Sequence, residues 1–198
     1  MKIEEPDLAG SYTYADYMTW RWDQMVELID GKIYKMSPAP TSTHQKISGK
    51  LFLIIGNYLM GNRCQLFSAP FDVRLPFSSN KKKDNEIITV VQPDLCVICD
   101  PTKIDERGCL GAPDWIIEIL SRYTSAKDLR EKFKVYEETG VREYWVVHPT
   151  EQTVLIYVLE ANGKYQGILK PCVRTDKIVP VTLPGLTIDL GFVFPEED

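Results

Sequence analysis

Two segments with helical spacing of apolar residues lie among short segments rich in β-branched and aromatic residues. The first follows a capping box of Ser42 and Gln45 and continues to Gly61. The second is capped by Ser125, begins near residue 126 and stops at Gly140, a residue type suited to a helix end. Because strand-like segments surround both helices, this order predicts a mixed α/β domain. The two apolar stripes comprise Ile47, Leu51, Ile54 and Tyr58, and Leu129, Phe133 and Tyr136.

Eight segments carry residue types typical of β-strands, and the first and last pairs are hairpins joined at Asp30-Gly31 and at residues 161–163. Thr13 and Asp16 open a short helix before them. The three segments between the two long helices are expected to form the core of the sheet. The expected strands are residues 26–30, 32–37, 66–77, 90–99, 115–120, 143–148, 153–159 and 165–169, followed by an extended, proline-punctuated tail over 181–194.

Length, composition and charge bound the class of protein. A chain of 198 residues with 44% apolar residues is expected to form one soluble domain over residues 1–198, with a core over about 12–157 and a β tail over 158–198. The longest apolar runs fall well short of the ~18 residues of a membrane-spanning helix. Five cysteines and an N-terminus without a secretory apolar region predict a reduced, cytoplasmic protein. A net charge of −5 argues against coating nucleic acid through bulk positive charge, but it permits a nuclease.

Glu118 is an acid within an otherwise apolar segment, residues 115–120. Such a strand is expected to be buried on both faces, where an ionised carboxylate costs several kcal/mol unless it is paired, protonated or bound to a metal. Glu118 therefore requires a partner. A structural salt bridge or a position at the sheet edge is the alternative to a catalytic role.

Asp94 opens another apolar strand, and side-chain alternation places Gln92, Asp94 and Cys96 on one face. If the strands of Asp94 and Glu118 pair, the two carboxylates converge on one hard cation. Magnesium favours this arrangement, because it binds one or two carboxylates together with water and phosphate oxygens. A turn residue after Pro93 is the alternative reading of Asp94.

Lys132 borders the apolar stripe of the second long helix, between Asp128 and Tyr136. An ion pair with Asp128, worth a few tenths of a kcal/mol, would explain this position. A lysine held near two metal-binding acids would instead orient and acidify an attacking water, or stabilise developing charge on phosphate. Both readings remain open from the spacing alone.

These three residues belong to a longer series of short motifs that occur in a fixed order over most of the chain. It comprises Glu27-Leu28-Ile29-Asp30-Gly31, Met36-Ser37-Pro38, His44-Gln45, Gln92-Pro93-Asp94, Pro113-Asp114, Glu118-Ile119-Leu120-Ser121, Thr124, Asp128, Lys132, Tyr136 and Gly140-Val141-Arg142-Glu143-Tyr144-Trp145. With this pattern the chain resembles the Uma-type restriction endonucleases of the PD-(D/E)XK nuclease superfamily over about residues 12–157. The resemblance implies a restriction-endonuclease-like core, with a central mixed sheet flanked by helices, and metal-dependent phosphodiester hydrolysis.

Carried over by position, the resemblance makes Asp94 and Glu118 the metal-binding acids for Mg²⁺, with Mn²⁺ as a substitute. The lysine usually found two residues after the second acid is replaced by Leu120, and Lys132 on the following helix takes its place. Glu27 is implied as a further catalytic residue, through a water on the metal. The implied nucleic-acid contacts are His44, Gln92 and Tyr136, and for His44, at a helix start, holding the turn is the alternative role.

The expected function is that of a magnesium-dependent DNA endonuclease. A catalytically silent module that keeps the nuclease fold and holds nucleic acid or a protein is the alternative from a different class. RNA or branched DNA as substrate would share the chemistry, and groove-reading residues have no fixed motif that separates these substrates. A homodimer would supply the two sites that cutting both strands of a duplex requires.

Three further features favour ordinary structural roles. Cys96 and Cys99 are three residues apart on a strand and therefore point to opposite faces, which disfavours a zinc or redox pair. Residues 81–83, three lysines in a row, fit a solvated loop better than a contact with DNA. Tyr144 and Trp145 lie in a segment expected to be buried, where core packing is favoured over base stacking.

Overall fold

The computed structural model describes residues 7–21, 24–36, 39–78, 83–121 and 126–194, without the side chains of residues 126–128. The helices are α1 (Tyr14–Tyr17), α2 (Ser42–Leu59), α3 (Ala126–Thr139) and α4 (Leu190–Val193). The strands are β1 (Val26–Ile29), β2 (Lys32–Lys35), β3 (Gln65–Ser68), β4 (Val73–Arg74), β5 (Val90–Val91), β6 (Leu95–Ile98), β7 (Ile104–Asp105), β8 (Gly108–Leu110), β9 (Trp115–Ile119), β10 (Glu143–His148), β11 (Thr153–Leu159), β12 (Tyr165–Gly167), β13 (Cys172–Val173), β14 (Lys177–Ile178) and β15 (Ile188–Asp189). The expected mixture of helices and strands is confirmed.

Two mixed sheets form the body of the fold. The first has the order β2-β1-β5-β4-β8-β7, and the second has the order β12-β11-β10-β9-β6-β3, with β13 also paired to β11. Strands β9 and β10 run parallel, and α3 connects them. The three segments expected at the core of one sheet are thus distributed over two sheets.

The second sheet is the central layer. On one face its side chains pack against α2 and the C-terminal segment, with Trp115 and Trp145 in edge contact at 4.6 Å. On the other face they pack against α3 and the inner face of the first sheet. The expected central mixed sheet flanked by helices is therefore confirmed. Among the described residues, no helix has the length and apolar character to cross a membrane.

The start of α2 lies one residue away from the predicted cap. Thr41, not Ser42, is the N-cap, and its hydroxyl accepts a hydrogen bond from the backbone N–H of His44. The buried stripe continues through Ile55 and Leu59, whereas Tyr58 is exposed. At the second helix, Gly140 follows the last turn with φ 87° as predicted, while the expected cap at Ser125 lies outside the described residues.

Two predicted strands are each divided in the structure. Residues 66–77 form β3 and β4, and residues 90–99 form β5 and β6, with one member of each pair in each sheet. The breaks contain Pro70 and Pro93, which lack the N–H that a ladder requires. The two breaks meet, because the backbone N–H of Ala69 donates to the carbonyl of Asp94. Asp94 therefore lies where the chain crosses from one sheet to the other.

The hairpins over 26–35 and 153–167 are confirmed, and the turn of the first uses positive φ at Asp30 (49°) and Gly31 (74°). A third hairpin, β7–β8, was not expected from the sequence. Its Gly108 has φ 122°, and a Cβ there would collide with the backbone oxygen of Asp72. The weak apolar alternation of this short hairpin explains why the pattern alone missed it.

The tail is more ordered than predicted. Instead of an extended segment over 181–194, it forms β15 and α4, and it packs into the core against α2. Glu143 anchors it: its fully buried carboxylate accepts hydrogen bonds from the backbone N–H groups of Val181 and Thr182 and from Nε1 of Trp145. Three N–H donors satisfy a carboxylate that would otherwise be costly to bury.

The expectation that all five cysteines are reduced is wrong for one pair. Cys64 and Cys99 form a disulfide, while Cys96, Cys109 and Cys172 are free. Cys64 precedes β3 and Cys99 follows β6, and the register that pairs Gln65 with Ile98 places the two cysteines opposite each other. The predicted opposite orientation of Cys96 and Cys99 is confirmed, because they pack into different core clusters.

Candidate active site

Asp94 and Glu118 face each other across two paired strands. In the antiparallel register of β6 and β9, Leu95 pairs with Ile117, so that Asp94, the residue before β6, is opposite Glu118. Oδ2 of Asp94 accepts a hydrogen bond of 2.7 Å from the backbone N–H of Ile119. The strand pairing on which the predicted convergence depends is present.

Both acids lie in a cleft of about 800 Å³. Its walls come from β1 and β2, the N-terminal turn of α2, the ends of β3 and β9, and α3. The other residues that line this cleft include Glu27, Lys35, Thr41, His44, Ser68, Gln92, Leu120, Ser121, Leu129, Lys132 and Tyr144. Leu120, which replaces the lysine of the usual motif, lines the cleft.

Glu118 is 8% exposed, and its two oxygens have different surroundings. Oε1 accepts hydrogen bonds from Nζ of Lys132 at 3.1 Å and from the hydroxyl of Tyr136 at 2.7 Å. Oε2 accepts none from the described residues. Burial raises the pKa of Glu118 to about 7, and the carboxylates of Asp94 and Glu27 add to this effect, which Lys132 and Tyr136 only partly oppose.

Lys132 is buried between two carboxylates. Its Nζ lies 2.9 Å from Oε2 of Glu27 and 3.1 Å from Oε1 of Glu118. The helical geometry that placed Lys132 beside the sheet is therefore confirmed. The alternative pairing with Asp128 lies outside the described side chains.

Glu27 joins the site through its neighbours. Besides its contact with Lys132, Oε1 of Glu27 accepts a hydrogen bond of 2.8 Å from the backbone N–H of Gln92, at the break between β5 and β6. Both oxygens are thus engaged within the protein, and the residue is 3% exposed. This arrangement favours a role in holding Lys132 over the expected role of water-mediated metal ligand.

His44 contacts the first acid. It lies in the first turn of α2, and its Nε2 is 3.2 Å from the carboxylate oxygens of Asp94. Burial disfavours the charged imidazole, but the hydrogen bond and charge of Asp94 outweigh it and raise the pKa of His44 above its ordinary value. Nδ1 of His44 is buried and has no hydrogen-bond partner among the described residues.

Gln92 and Tyr136 occupy supporting positions. The side-chain amide of Gln92 donates to Asp72 at 2.8 Å and to the hydroxyl of Tyr17 at 3.2 Å. Tyr136 is fully buried, and its hydroxyl donates to Glu118. Tyr136 therefore has no exposed surface with which to contact nucleic acid, whereas Gln92 lines the cleft.

Sequence reasoning missed Asp72, which the chain brings next to the cleft residue Gln92. The pKa of Asp72 is raised by burial, against the hydrogen bonds from Gln92 and Tyr17. Asp72 lies between two apolar segments without periodic spacing, and so no sequence signal marked it. Tyr144 was predicted to be buried, which is confirmed, but its place in the cleft wall was not foreseen.

The acids present suit a hard cation that takes part of its coordination from outside the protein. Within the described parts of the chain, no group of three or more His, Cys, Asp or Glu side chains is arranged to hold a metal ion. Two facing carboxylates are the set that Mg²⁺ uses together with water and phosphate oxygens. Burial is the main cause of the raised pKa of Glu118, the carboxylates of Asp94 and Glu27 add to it, and a bound cation would favour the ionised form.

The fold is shared with a solved nuclease-like structure. A crystal structure of a putative nuclease belonging to DUF820 from Anabaena variabilis matches this structure with a TM-score of 0.70 and 22% identity. The match covers 92% of this chain and 97% of that chain. At this level of identity the comparison establishes the fold.

The family follows from the sequence itself. Residues 14–191 match the Uma2 family, described as putative restriction endonucleases, and the chain belongs to this family. A curated relative from Synechocystis sp., the uncharacterized protein slr1290, is 26% identical over 153 residues, which cover 76% of this chain and 75% of that protein.

Proposed function

We propose that this protein is a divalent-cation-dependent endonuclease that hydrolyses phosphodiester bonds of DNA. One observation carries the proposal: Asp94 and Glu118 face each other in a cleft, with Lys132 bound to Glu118. Membership in a family of putative restriction endonucleases supports the reaction class. Cleavage of both strands of a duplex would require two such sites, and we therefore include a homodimer in the proposal.

Asp94 and Glu118 are the residues that would hold Mg²⁺ or Mn²⁺. Oε2 of Glu118 is suited to this role, because both donors that the described residues direct at this carboxylate bind Oε1. When bound, the cation would polarise the scissile phosphate and lower the pKa of a coordinated water. The backbone N–H of Ile119 fixes Asp94, and the hydroxyl of Tyr136 fixes Glu118.

Lys132 supplies a positive charge next to Glu118. Its ammonium group donates to Glu118, beside the position of the reacting phosphate in this proposal, and it stabilises negative charge that develops there. Glu27 holds the same ammonium group from the other side. We assign Glu27 to the positioning of Lys132.

His44 and Gln92 are the proposed contacts with nucleic acid. His44 lies in the first turn of α2, whose N-terminus lines the cleft, and partial positive charge at a helix N-terminus attracts phosphate. Its contact with Asp94 also orients that acid. Gln92 lines the same cleft, and Asp72 and the hydroxyl of Tyr17 hold its side-chain amide in place.

The test is a cleavage assay with plasmid, linear duplex, single-stranded DNA and RNA, with Mg²⁺, Mn²⁺ or chelator. We expect metal-dependent cleavage by the wild type and its loss in Asp94→Asn and Glu118→Gln. Glu160→Gln, which changes an exposed hairpin acid outside the cleft, is the matched control and should retain full activity. Cleavage by Glu118→Gln at the wild-type rate would refute the proposed site. Metal-dependent DNA binding without cleavage would indicate the silent module.

A further inference from the structure

An apolar surface lies beside Glu27 on the hairpin of β1 and β2. Glu27 pairs with Tyr34 across the two strands, so that their side chains share one face of the hairpin. The backbone N–H of Met36 donates to the carbonyl of Met25, which continues the same register beyond the strands. Because alternate residues share a face, Met25 and Met36 lie on the face of Glu27 and Tyr34. We call Met25, Tyr34 and Met36 the apolar platform.

The apolar platform faces the cleft and is accessible from it. Glu27, on the same face of the hairpin, reaches Lys132 in the cleft at 2.9 Å. All three residues of the platform line the cleft. Met25 is 48% exposed, and Tyr34 and Met36 are partly exposed. Tyr34 also packs against the core cluster that contains Ile29, which holds its side chain in place. A ligand in the cleft can therefore touch this surface.

The cleft thus combines a charged part with an apolar part. Asp94, Glu118 and Lys132 form the charged part, where the proposed function places a phosphate. The apolar platform suits the face of a nucleobase, because aromatic side chains stack on bases and thioether sulfur packs favourably against aromatic rings. A volume of about 800 Å³ is in the range of pockets that enclose a small ligand. A phosphate with its adjacent base matches both parts.

We infer that the apolar platform binds an unpaired nucleobase next to the scissile phosphate, which makes DNA with unpaired bases the preferred substrate; this inference rests on the proposed nuclease function. In a paired duplex a base reaches such a pocket only after leaving the stack, at a free-energy cost that an unpaired base does not incur. Stacking tolerates every base, since each has an aromatic face. The platform therefore selects unpaired structure and not a particular sequence.

The test compares three DNA substrates in Mg²⁺ buffer. The first is a duplex with a central loop of unpaired thymines, the second is a fully paired duplex of the same length, and the third carries abasic nucleotides in the loop. We expect the wild type to cleave the thymine loop with a kcat/KM roughly tenfold or more above that for the paired duplex. The abasic loop keeps the phosphates without the bases, and it should lose most of this advantage.

Variants of the apolar platform test the residues. Tyr34→Leu should lower kcat/KM for the thymine loop roughly 5- to 100-fold, the effect of removing one stacking ring. Met25→Gln should lower it roughly 2- to 10-fold. Both effects should be smaller on the abasic loop, which offers no base to the platform, and Tyr34→Phe, which keeps the ring, should restore the preference. Met18→Gln is the matched control, because Met18 is 52% exposed and does not line the cleft, and it should match the wild type on every substrate.

The outcomes separate this inference from the proposed function. If the wild type cleaves the thymine loop and the paired duplex equally, or if Tyr34→Leu slows the thymine and abasic loops equally, the inference is wrong although the nuclease remains. If the wild type cleaves none of the three, the proposed function fails, and fluorescence anisotropy with the same substrates decides the inference. Tighter binding of the thymine loop that Tyr34→Leu removes would support base binding by a silent module, whereas equal binding of all three substrates would overturn it.

Discussion

Lys132 and Glu118 meet at 3.1 Å although the lysine is on a helix and the acid is on a strand. The two residues are 14 positions apart, and α3 returns over β9 to bring them together. Leu120 occupies the strand position where the resemblance places a lysine. The lysine therefore reaches Glu118 from helix α3 and not from the strand that carries Glu118.

The first prediction concerns this buried lysine. Lys132→Met should abolish cleavage and lower the free energy of unfolding by about 3 kcal/mol near pH 8, because it leaves Glu27 and Glu118 as buried acids without their cation. Urea denaturation measures the change. Lys134→Met, on the exposed side of the same helix, is the control and should cost less than about 1 kcal/mol. Equal effects of the two substitutions would contradict a special role for Lys132.

A second prediction follows from the pKa of Glu118, which rises from an ordinary value of 4.5 to about 7 in the folded protein. Between these pH values the folded chain keeps a proton that the unfolded chain has released, and raising the pH therefore favours unfolding. In metal-free buffer, the free energy of unfolding of the wild type should fall relative to that of Glu118→Gln by about 3 kcal/mol from pH 4.5 to 7.5. Parallel pH profiles for the two proteins would show that burial does not raise this pKa.

Glu143 provides a test of the fold that is independent of the site. Glu143→Ala should lower the free energy of unfolding by about 2 kcal/mol, because three N–H donors, one of them the buried indole of Trp145, lose their acceptor. Hydrogen exchange should accelerate at the backbone amides of Val181 and Thr182. Substitution of exposed Glu138 by alanine should change neither quantity noticeably. Unchanged protection of both amides in Glu143→Ala would mean that the tail is held by other contacts.

The sequence pattern and the structure assign the N-cap of α2 to different residues. Thr41→Ala should cost about 1 kcal/mol of stability, since the hydroxyl of Thr41 satisfies the N–H of His44. Ser42→Ala should have a small effect, because Ser42 is already inside the helix. Thermal unfolding of the two variants measures the difference. A larger loss of stability in Ser42→Ala than in Thr41→Ala would instead support the capping box predicted from Ser42 and Gln45.

Periodicity predicted the elements and the site where a side chain alternates on one regular element. Strand alternation predicted the face on which Asp94 lies and made its convergence with Glu118 depend on the pairing of their strands, and the helical repeat placed Lys132 against the sheet. The structure brings all three together. Prediction from periodicity failed where the chain passes from one sheet to the other. The apolar runs over 66–77 and 90–99 continue through Pro70 and Pro93, and no local signal shows that their halves belong to different sheets.

Contacts between segments distant in the sequence could not be predicted from local patterns either. The disulfide of Cys64 and Cys99 depends on the register of β3 and β6, which the sequence does not determine locally. The burial of Glu143 depends on a tail that folds back almost 40 residues later, as the hydrogen bonds from Val181 and Thr182 show. Such partners are set by tertiary packing, and the sequence predicted only the strand in which Glu143 lies.

The central claim is that Asp94 and Glu118 form one cation site, and calorimetric titration with Mn²⁺, with Mg²⁺ in parallel, tests it without any assumption about substrate. The account predicts saturable binding to the wild type, its loss in both Asp94→Asn and Glu118→Gln, and unchanged binding in Glu160→Gln. All four proteins should retain the same circular dichroism spectrum. Undiminished binding in either site variant, or no binding to folded wild type at millimolar metal with and without DNA, would contradict it.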